Sequence, residues 1–114
     1  MDGSREIVIE TKTGFVKAYE MQIVSIKTKE RRSEVLLSSG QSIECIWSMK
    51  KWKEVLNEKR FIESHRGIIV NLEHVSGVED ETILLLDGAV EEYLSRRKFQ
   101  RFKQAYMTYT EGKE

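Results

Sequence analysis

The sequence lacks several features that mark whole classes of protein. It has no proline and a single cysteine, Cys45, among 114 residues. One cysteine excludes an intrachain disulfide and any zinc site built from the cysteines of one chain. No apolar run approaches the roughly 18 residues that a membrane helix needs, and the polar start lacks the apolar core of a secretion signal. These absences predict a soluble, cytoplasmic protein that has no membrane partner.

The net charge is also zero, but the charges are segregated along the chain. Residues 73–92 hold seven acidic residues and no lysine or arginine, whereas residues 95–103 hold five basic residues and no acid. A weaker basic cluster at residues 27–32 is diluted by Glu30 and Glu34. Such a domain can orient on a polyanion despite its zero net charge. Ordinary solvated faces are the alternative interpretation of these charges.

Short apolar runs separated by glycines and turn pairs predict a mainly β domain. The predicted strands cover residues 6–11, 15–18, 21–27, 34–37, 41–46, 68–71, 74–78, 82–86 and 89–94. Asp87-Gly88 predicts a hairpin turn between the last two strands, because glycine accepts the positive φ of a tight turn. The alternation of Ile43 and Cys45 with polar neighbours predicts a buried strand cysteine rather than a reactive one.

Two helices are predicted, each beginning at a serine. Ser48 is expected to cap a short helix near 48–56, and Ser95 is expected to cap a helix near 95–109. The second helix carries an apolar stripe that predicts packing against a sheet, with stacking on single-stranded bases as the alternative. The stripe consists of Phe99, Phe102, Tyr106 and Tyr109. Because no two helices are adjacent, a helix-turn-helix is excluded, and any DNA contact must come from loops and helix ends.

The candidate catalytic and metal-binding residues are few. His65 and His74 have no second ligand at a suitable spacing, so His65 is predicted to be a hydrogen-bonded core histidine and no metal site is expected. Asn71 is expected to satisfy backbone groups in a turn rather than to read a base. No Ser/His/Asp set, carboxylate pair or phosphate-binding glycine loop is present, so neither an enzyme nor a cofactor is predicted.

Several motifs follow one another in a specific order over residues 7–105. They are Trp52-Lys53-Glu54-Val55-Leu56, Arg60-Phe61, His65-Arg66-Gly67-Ile68-Ile69-Val70-Asn71, Asp87-Gly88 and Ser95-Arg96-Arg97. In this order the chain resembles a LytTR domain, the DNA-binding output domain of bacterial response regulators of the LytR/AlgR type. It departs from the family pattern at Glu63, where arginine is usual, at Gly67, where serine is usual, and at Glu92-Tyr93-Leu94, where a proline is common. The first two departures remove groups that could face a phosphate.

The resemblance implies an elongated, mainly β fold of about ten short antiparallel strands in three small sheets. It implies one DNA-binding domain over residues 5–109, followed by a flexible tail at residues 110–114. The implied function is sequence-specific binding of double-stranded DNA by a bacterial transcriptional regulator of a two-component system, through loops that contact successive major grooves. The alternative is a β-rich module with a basic edge that binds protein or RNA. The implied partners are paired direct repeats in promoter DNA and an upstream receiver domain or sensor, and the isolated domain is expected to be a monomer.

The predicted DNA contacts lie in three segments of the chain. They are Arg31, Arg32, Ser33, Arg66, Ser95, Arg96 and Arg97. The planar fork of an arginine can meet O6 and N7 of guanine or clamp a phosphate, and Ser95 with the free N–H groups of its helix would cradle a phosphate. Two alternatives stay open: Arg66 could form a surface ion pair with the acidic stretch, and Glu30 and Glu34 could neutralise the first arginine pair locally.

Overall fold

The computed structural model describes residues 5–112, and its fold is mainly β. Ten strands form three antiparallel sheets, and two α-helices accompany them. The predicted fold class is therefore confirmed in its strand number, its sheets and its helices. The chain divides into two compact units, of which the first ends at Leu56 and the second begins at Asn57.

The first unit contains five strands and one helix. These are β1 (Glu6–Glu10), β2 (Phe15–Tyr19), β3 (Ile23–Lys29), β4 (Arg32–Leu37), β5 (Ser42–Cys45) and α1 (Met49–Val55). β1 and β2 form an antiparallel hairpin, and β4 lies between β3 and β5 in an antiparallel ladder. Buried apolar side chains alternate with more exposed ones on β1, β4 and β5, as the period of two in a strand requires, whereas residues 23–26 of β3 are all buried. The side chains with no exposed surface are Ile9, Ile23, Val24, Ile26, Val35, Cys45 and Trp52.

Two local predictions in the first unit, the cap at Ser48 and the burial of Cys45, are confirmed. The Ser48 hydroxyl accepts a hydrogen bond from the Lys51 backbone N–H at 3.3 Å, so Ser48 caps α1 as predicted. Cys45 is a buried, free cysteine on β5, and burial raises the pKa of its thiol above the ordinary value. A thiol that burial keeps protonated is a poor nucleophile, which agrees with the predicted structural role.

The second unit contains five strands and one helix. These are β6 (Phe61–His65), β7 (Ile68–Asn71), β8 (Val75–Glu79), β9 (Thr82–Leu85), β10 (Val90–Tyr93) and α2 (Phe99–Glu111). β6 and β7 form an antiparallel hairpin, and β9 lies between β8 and β10. Phe102 of α2 is buried, and Phe99, Tyr106 and Tyr109 are half-buried. The apolar stripe therefore packs against the unit, as its helical spacing predicted.

Turns in the second unit also follow the prediction in part. Asp87-Gly88 does lie in a hairpin, but the loop has four residues, because Val90 pairs with Leu85. Three residues of this loop have positive φ angles, which are 51° at Leu86, 56° at Asp87 and 89° at Gly88. The Asn71 side chain accepts a hydrogen bond from the Glu73 backbone N–H at 2.9 Å, which confirms its predicted role in a turn.

The largest differences from the prediction are a missed strand, β6, and the start of α2. β6 was not among the strands predicted from the apolar runs, because Glu63, Ser64 and His65 break the alternation and a bulge shifts the pairing there. α2 begins at Phe99 rather than near residue 95, and residues 96–98 form a 3₁₀ turn before it. The helix continues through Glu111, so the predicted tail at residues 110–114 overlaps it, while residues 113 and 114 lie outside the described part. The domain bounds of 5–109 stay a prediction.

Candidate nucleic-acid interface

The turn between β3 and β4 holds the first predicted contacts. Lys29 pairs with Arg32, so only Glu30 and Arg31 form the turn, with Glu30 at a φ of 59°. Arg31 and Arg32 are both exposed, and within residues 5–112 neither side chain makes a hydrogen bond or a salt bridge. The local neutralisation by Glu30 or Glu34 that the sequence left open is therefore not seen as an ion pair.

Two acidic groups near this turn, Glu44 and Glu34, form a salt bridge or a hydrogen bond with other residues. Glu44 forms a salt bridge with Lys29, which raises the pKa of the lysine and lowers the pKa of the carboxyl. The Glu34 carboxylate accepts a hydrogen bond from the Ser42 hydroxyl at 3.0 Å. We call the exposed pair Arg31 and Arg32 the first arginine surface.

Ser33 occupies a different environment from the two arginines before it. Its side chain is buried on β4, where the hydroxyl donates to the Trp47 carbonyl at 2.8 Å and accepts from the Trp52 indole N–H at 2.8 Å. The hydroxyl thus acts both as a donor and as an acceptor of hydrogen bonds within the first unit. The prediction that Ser33 contacts DNA is corrected to a structural role, because a buried hydroxyl with two protein partners cannot reach a ligand.

The turn between β6 and β7 holds Arg66. His65 pairs with Ile68, so Arg66 and Gly67 alone form the turn, and Gly67 has a φ of 85°. A side chain at that φ is strained, so glycine suits the turn better than the serine expected from the family pattern. Arg66 is exposed and makes no hydrogen bond or salt bridge within the described part of the chain. The alternative of an ion pair with the acidic stretch is therefore not seen.

His65 lies beside this turn. Its ring is edge-on to the ring of Tyr93 on β10, with centroids 4.8 Å apart and an interplanar angle of 80°. His65 is half-buried, and among the described residues its side chain makes no hydrogen bond. The predicted hydrogen-bonded core histidine is wrong in that respect, because an aromatic contact holds the ring instead.

The segment that follows β10 does not have the predicted capping geometry. Ser95 makes no side-chain capping bond, and Lys98 is the residue that precedes the first turn of α2. The predicted cap and the phosphate cradle at an α-helix N-terminus are corrected, because the 3₁₀ turn Arg96–Lys98 separates Ser95 from α2. The Ser95 backbone N–H instead donates to the Ser64 carbonyl of β6 at 2.9 Å.

The three cations of the 3₁₀ turn have different electrostatic surroundings. Arg96 is highly exposed, and its Nε lies 3.6 Å from a carboxylate oxygen of Glu81. Lys98 is part-buried, and its Nζ lies 3.8 Å from a carboxylate oxygen of Glu63. Arg97 is exposed and has no hydrogen-bond or ionic partner within residues 5–112. Arg97 is therefore the cation of this turn whose fork is open to an external ligand.

The second unit brings its predicted contacts onto neighbouring segments. The hydrogen bond from Ser95 to Ser64 holds the 3₁₀ turn beside β6, and Arg66 follows two residues after Ser64. We call the group Arg66, Ser95, Arg96 and Arg97 the second arginine surface. The contact between Lys98 and Glu63 could not be predicted from the sequence, because it depends on packing between two segments that are distant along the chain.

Two further observations concern metal ions and membranes. Residues 5–112 contain no group of three or more His, Cys, Asp or Glu side chains that could hold a metal ion. Among the same residues, neither helix is long and apolar enough to cross a bilayer.

Comparison with known proteins agrees with the geometry. The LytTR family, described as the LytTr DNA-binding domain, matches residues 14–107. The chain therefore belongs to the LytTR family of DNA-binding domains. No curated protein sequence matches the chain significantly.

A solved structure supports the same fold. It is described as the LytTr DNA-binding domain of a putative methyl-accepting/DNA response regulator from Bacillus cereus. The two chains superpose with a TM-score of 0.73 at 20% sequence identity, over 90% of this chain and 97% of the other. At that identity the likeness establishes the shared fold.

Proposed function

We propose that this chain binds double-stranded DNA sequence-specifically, as part of a transcriptional regulator, through the two arginine surfaces. Family membership supports DNA binding as the class of activity, and it fits the expectation that the chain is not an enzyme. The observation that carries the proposal is the state of Arg66 and Arg97: both are exposed, and neither has an ionic partner within the described residues.

An unpaired arginine is better suited to this work than a paired one. A guanidinium that already binds a carboxylate must give up that partner before it can bind a phosphate or a base edge. The unpaired forks of Arg66 and Arg97 need only lose water, and each can form two parallel hydrogen bonds to guanine or to a phosphate. Arg31 at the tip of the β3–β4 turn meets the same conditions in the first unit.

The remaining parts of the proposal rest on the resemblance to the family. They are contacts to successive major grooves, recognition of paired direct repeats, control by a receiver domain or sensor, and a cytoplasmic location beside the chromosome. The isolated chain should be monomeric by sedimentation at micromolar concentration, and two copies should occupy similarly oriented half-sites one helical turn apart. A tight dimer of the free chain, or a preference for inverted half-sites, would contradict this arrangement.

Binding to selected duplexes tests the proposal. Duplexes that bind the full chain can be selected from a random pool, and Kd can be measured by fluorescence anisotropy at a fixed salt concentration. The selected duplex should bind at least about 10³-fold more tightly than a scrambled duplex of the same composition. Equal affinity for both duplexes would remove sequence specificity. Tighter binding of single-stranded RNA of the same sequence would favour the alternative of an RNA-binding module.

A further inference from the structure

Glu63 and Lys98 form an ion pair at the edge of the second arginine surface. Their charged atoms are 3.8 Å apart, and the two side chains are only 26% and 31% exposed. By contrast, the pair of Arg96 with Glu81 is 86% and 42% exposed. Solvent screens the less exposed pair less, so Glu63 neutralises its lysine more effectively than Glu81 neutralises its arginine.

Backbone hydrogen bonds favour this pairing. Glu63 is fixed in the ladder opposite Ile69, and the next residue, Ser64, accepts the hydrogen bond from the Ser95 backbone N–H. The Lys98 backbone N–H then donates to the Ser95 carbonyl at 3.0 Å and closes the 3₁₀ turn. These backbone hydrogen bonds bring the two residues close together, so the carboxylate and the ammonium group need travel little to meet.

We propose that Glu63 sets the affinity of the second arginine surface for DNA by holding Lys98 in an ion pair with which phosphate must compete. This inference rests on the proposed function. Lys98 adjoins Arg97 in the same turn, so a phosphate bound there meets a lysine whose charge is already neutralised. The same phosphate also meets the negative charge of Glu63. Both effects lower the affinity, and both depend on one carboxylate.

Neutralising the carboxylate should release the lysine. Glu63→Gln keeps the shape of the side chain and removes its charge, so Lys98 becomes free to bind a phosphate. We expect the affinity for duplex DNA to rise by about two- to fivefold at moderate salt, the range that a partly exposed ion pair allows. The plot of log K against log salt should also steepen by about 0.9 for the extra phosphate contact. A purely structural role for Glu63 would not increase this slope.

A double-mutant cycle separates the ion pair from general repulsion. The four proteins are the 114-residue chain with Glu63→Gln, with Lys98→Met, with both changes and with neither, each titrated onto the selected duplex. In the Lys98→Met background, Glu63→Gln should no longer steepen the salt slope, because no ammonium group remains to be released. Glu91→Gln is the matched control, since Glu91 is exposed on β10 and has no ionic partner among the described residues.

Each outcome of this experiment decides between the ideas. If the unchanged chain does not bind the duplex at all, the proposed function fails. If the unchanged chain binds, but Glu63→Gln leaves affinity and slope unchanged or weakens binding, the inference about Glu63 is overturned. An equal effect in the Lys98→Met background, or with Glu91→Gln, overturns it as well.

Lys98→Met alone gives a second test that does not need the glutamate variant to fold. Because Lys98 is neutralised in the unchanged chain, its loss should reduce the salt slope by much less than the 0.9 or so that a lost phosphate contact costs. A reduction of the slope by about 0.9 in Lys98→Met would show that Lys98 is already available to phosphate, which contradicts the proposal.

Discussion

Truncation of Arg97 to alanine should weaken DNA binding and leave the fold intact. The side chain is exposed and has no partner within the described residues, so the free energy of unfolding should change by less than about 0.5 kcal/mol. The effect on binding depends on whether the Arg97 guanidinium contacts a base or a phosphate. A bidentate contact to guanine is worth about 1–3 kcal/mol, which corresponds to roughly a five- to 150-fold loss of affinity at that base pair.

The assay distinguishes a base contact from a phosphate contact. Kd would be measured by fluorescence anisotropy on the selected duplex and on single-base variants of it, at several salt concentrations. Loss of a base contact should flatten discrimination at one position, whereas loss of a phosphate contact should weaken all sequences together and reduce the salt slope by about 0.9. Lys59→Ala is the control, because Lys59 is an exposed cation of the same unit outside both arginine surfaces.

One result would refute the reasoning about Arg97. If Arg97→Ala binds as tightly as the unchanged chain, with the same salt slope and the same circular dichroism spectrum, the open fork has no ligand. The 3₁₀ turn would then serve only to join β10 to α2, and Arg97 would have to be removed from the proposed interface.

Three further predictions follow from the same structure. If the two surfaces neutralise four to six phosphates, log K should fall against log salt with a slope of about −3.6 to −5.4, and a slope near zero would contradict the electrostatic argument. Ser33→Ala should lower the free energy of unfolding by about 1–3 kcal/mol in urea titrations, because the buried Trp52 N–H loses its acceptor, and an unchanged midpoint would contradict this. Burial and the hydrogen bond that the phenol donates to Glu73 raise the pKa of Tyr109. The protonated phenol therefore stabilises the fold fully below the ordinary pKa of about 10, and this stabilisation is lost as pH rises through the pKa of Tyr109 in the folded protein. The unchanged chain should therefore lose stability above about pH 10 more steeply than Tyr109→Phe, and equal slopes would argue against it.

The strands could be predicted wherever one face is apolar. In β5 the alternation of Ile43 and Cys45 with exposed neighbours predicted both the strand and the burial of the cysteine. β6 was not predicted because Glu63, Ser64 and His65 carry polar groups. Its position is fixed by pairing with β7. The local sequence pattern does not show which strand will be the pairing partner.

The interface was predictable to a similar extent. On β4, Ser33 lies on the same face as Val35 and Leu37, which are both buried. A predicted strand that began at Arg32 rather than at Glu34 would therefore have indicated an inward Ser33 side chain. The 3₁₀ turn at residues 96–98 could not be read from the sequence, because a serine before a basic helical pattern normally indicates a cap.

Nuclear magnetic resonance titration tests the central claim, binding of duplex DNA through the two arginine surfaces, most directly. Adding the selected duplex to the ¹⁵N-labelled chain should shift the backbone amides of residues 30–32, 66–67 and 95–98, and the side-chain resonances of Arg66 and Arg97, far more than the amides of α1. Large shifts confined to α1, or unchanged resonances at both arginine surfaces under conditions where the duplex is bound, would contradict the account.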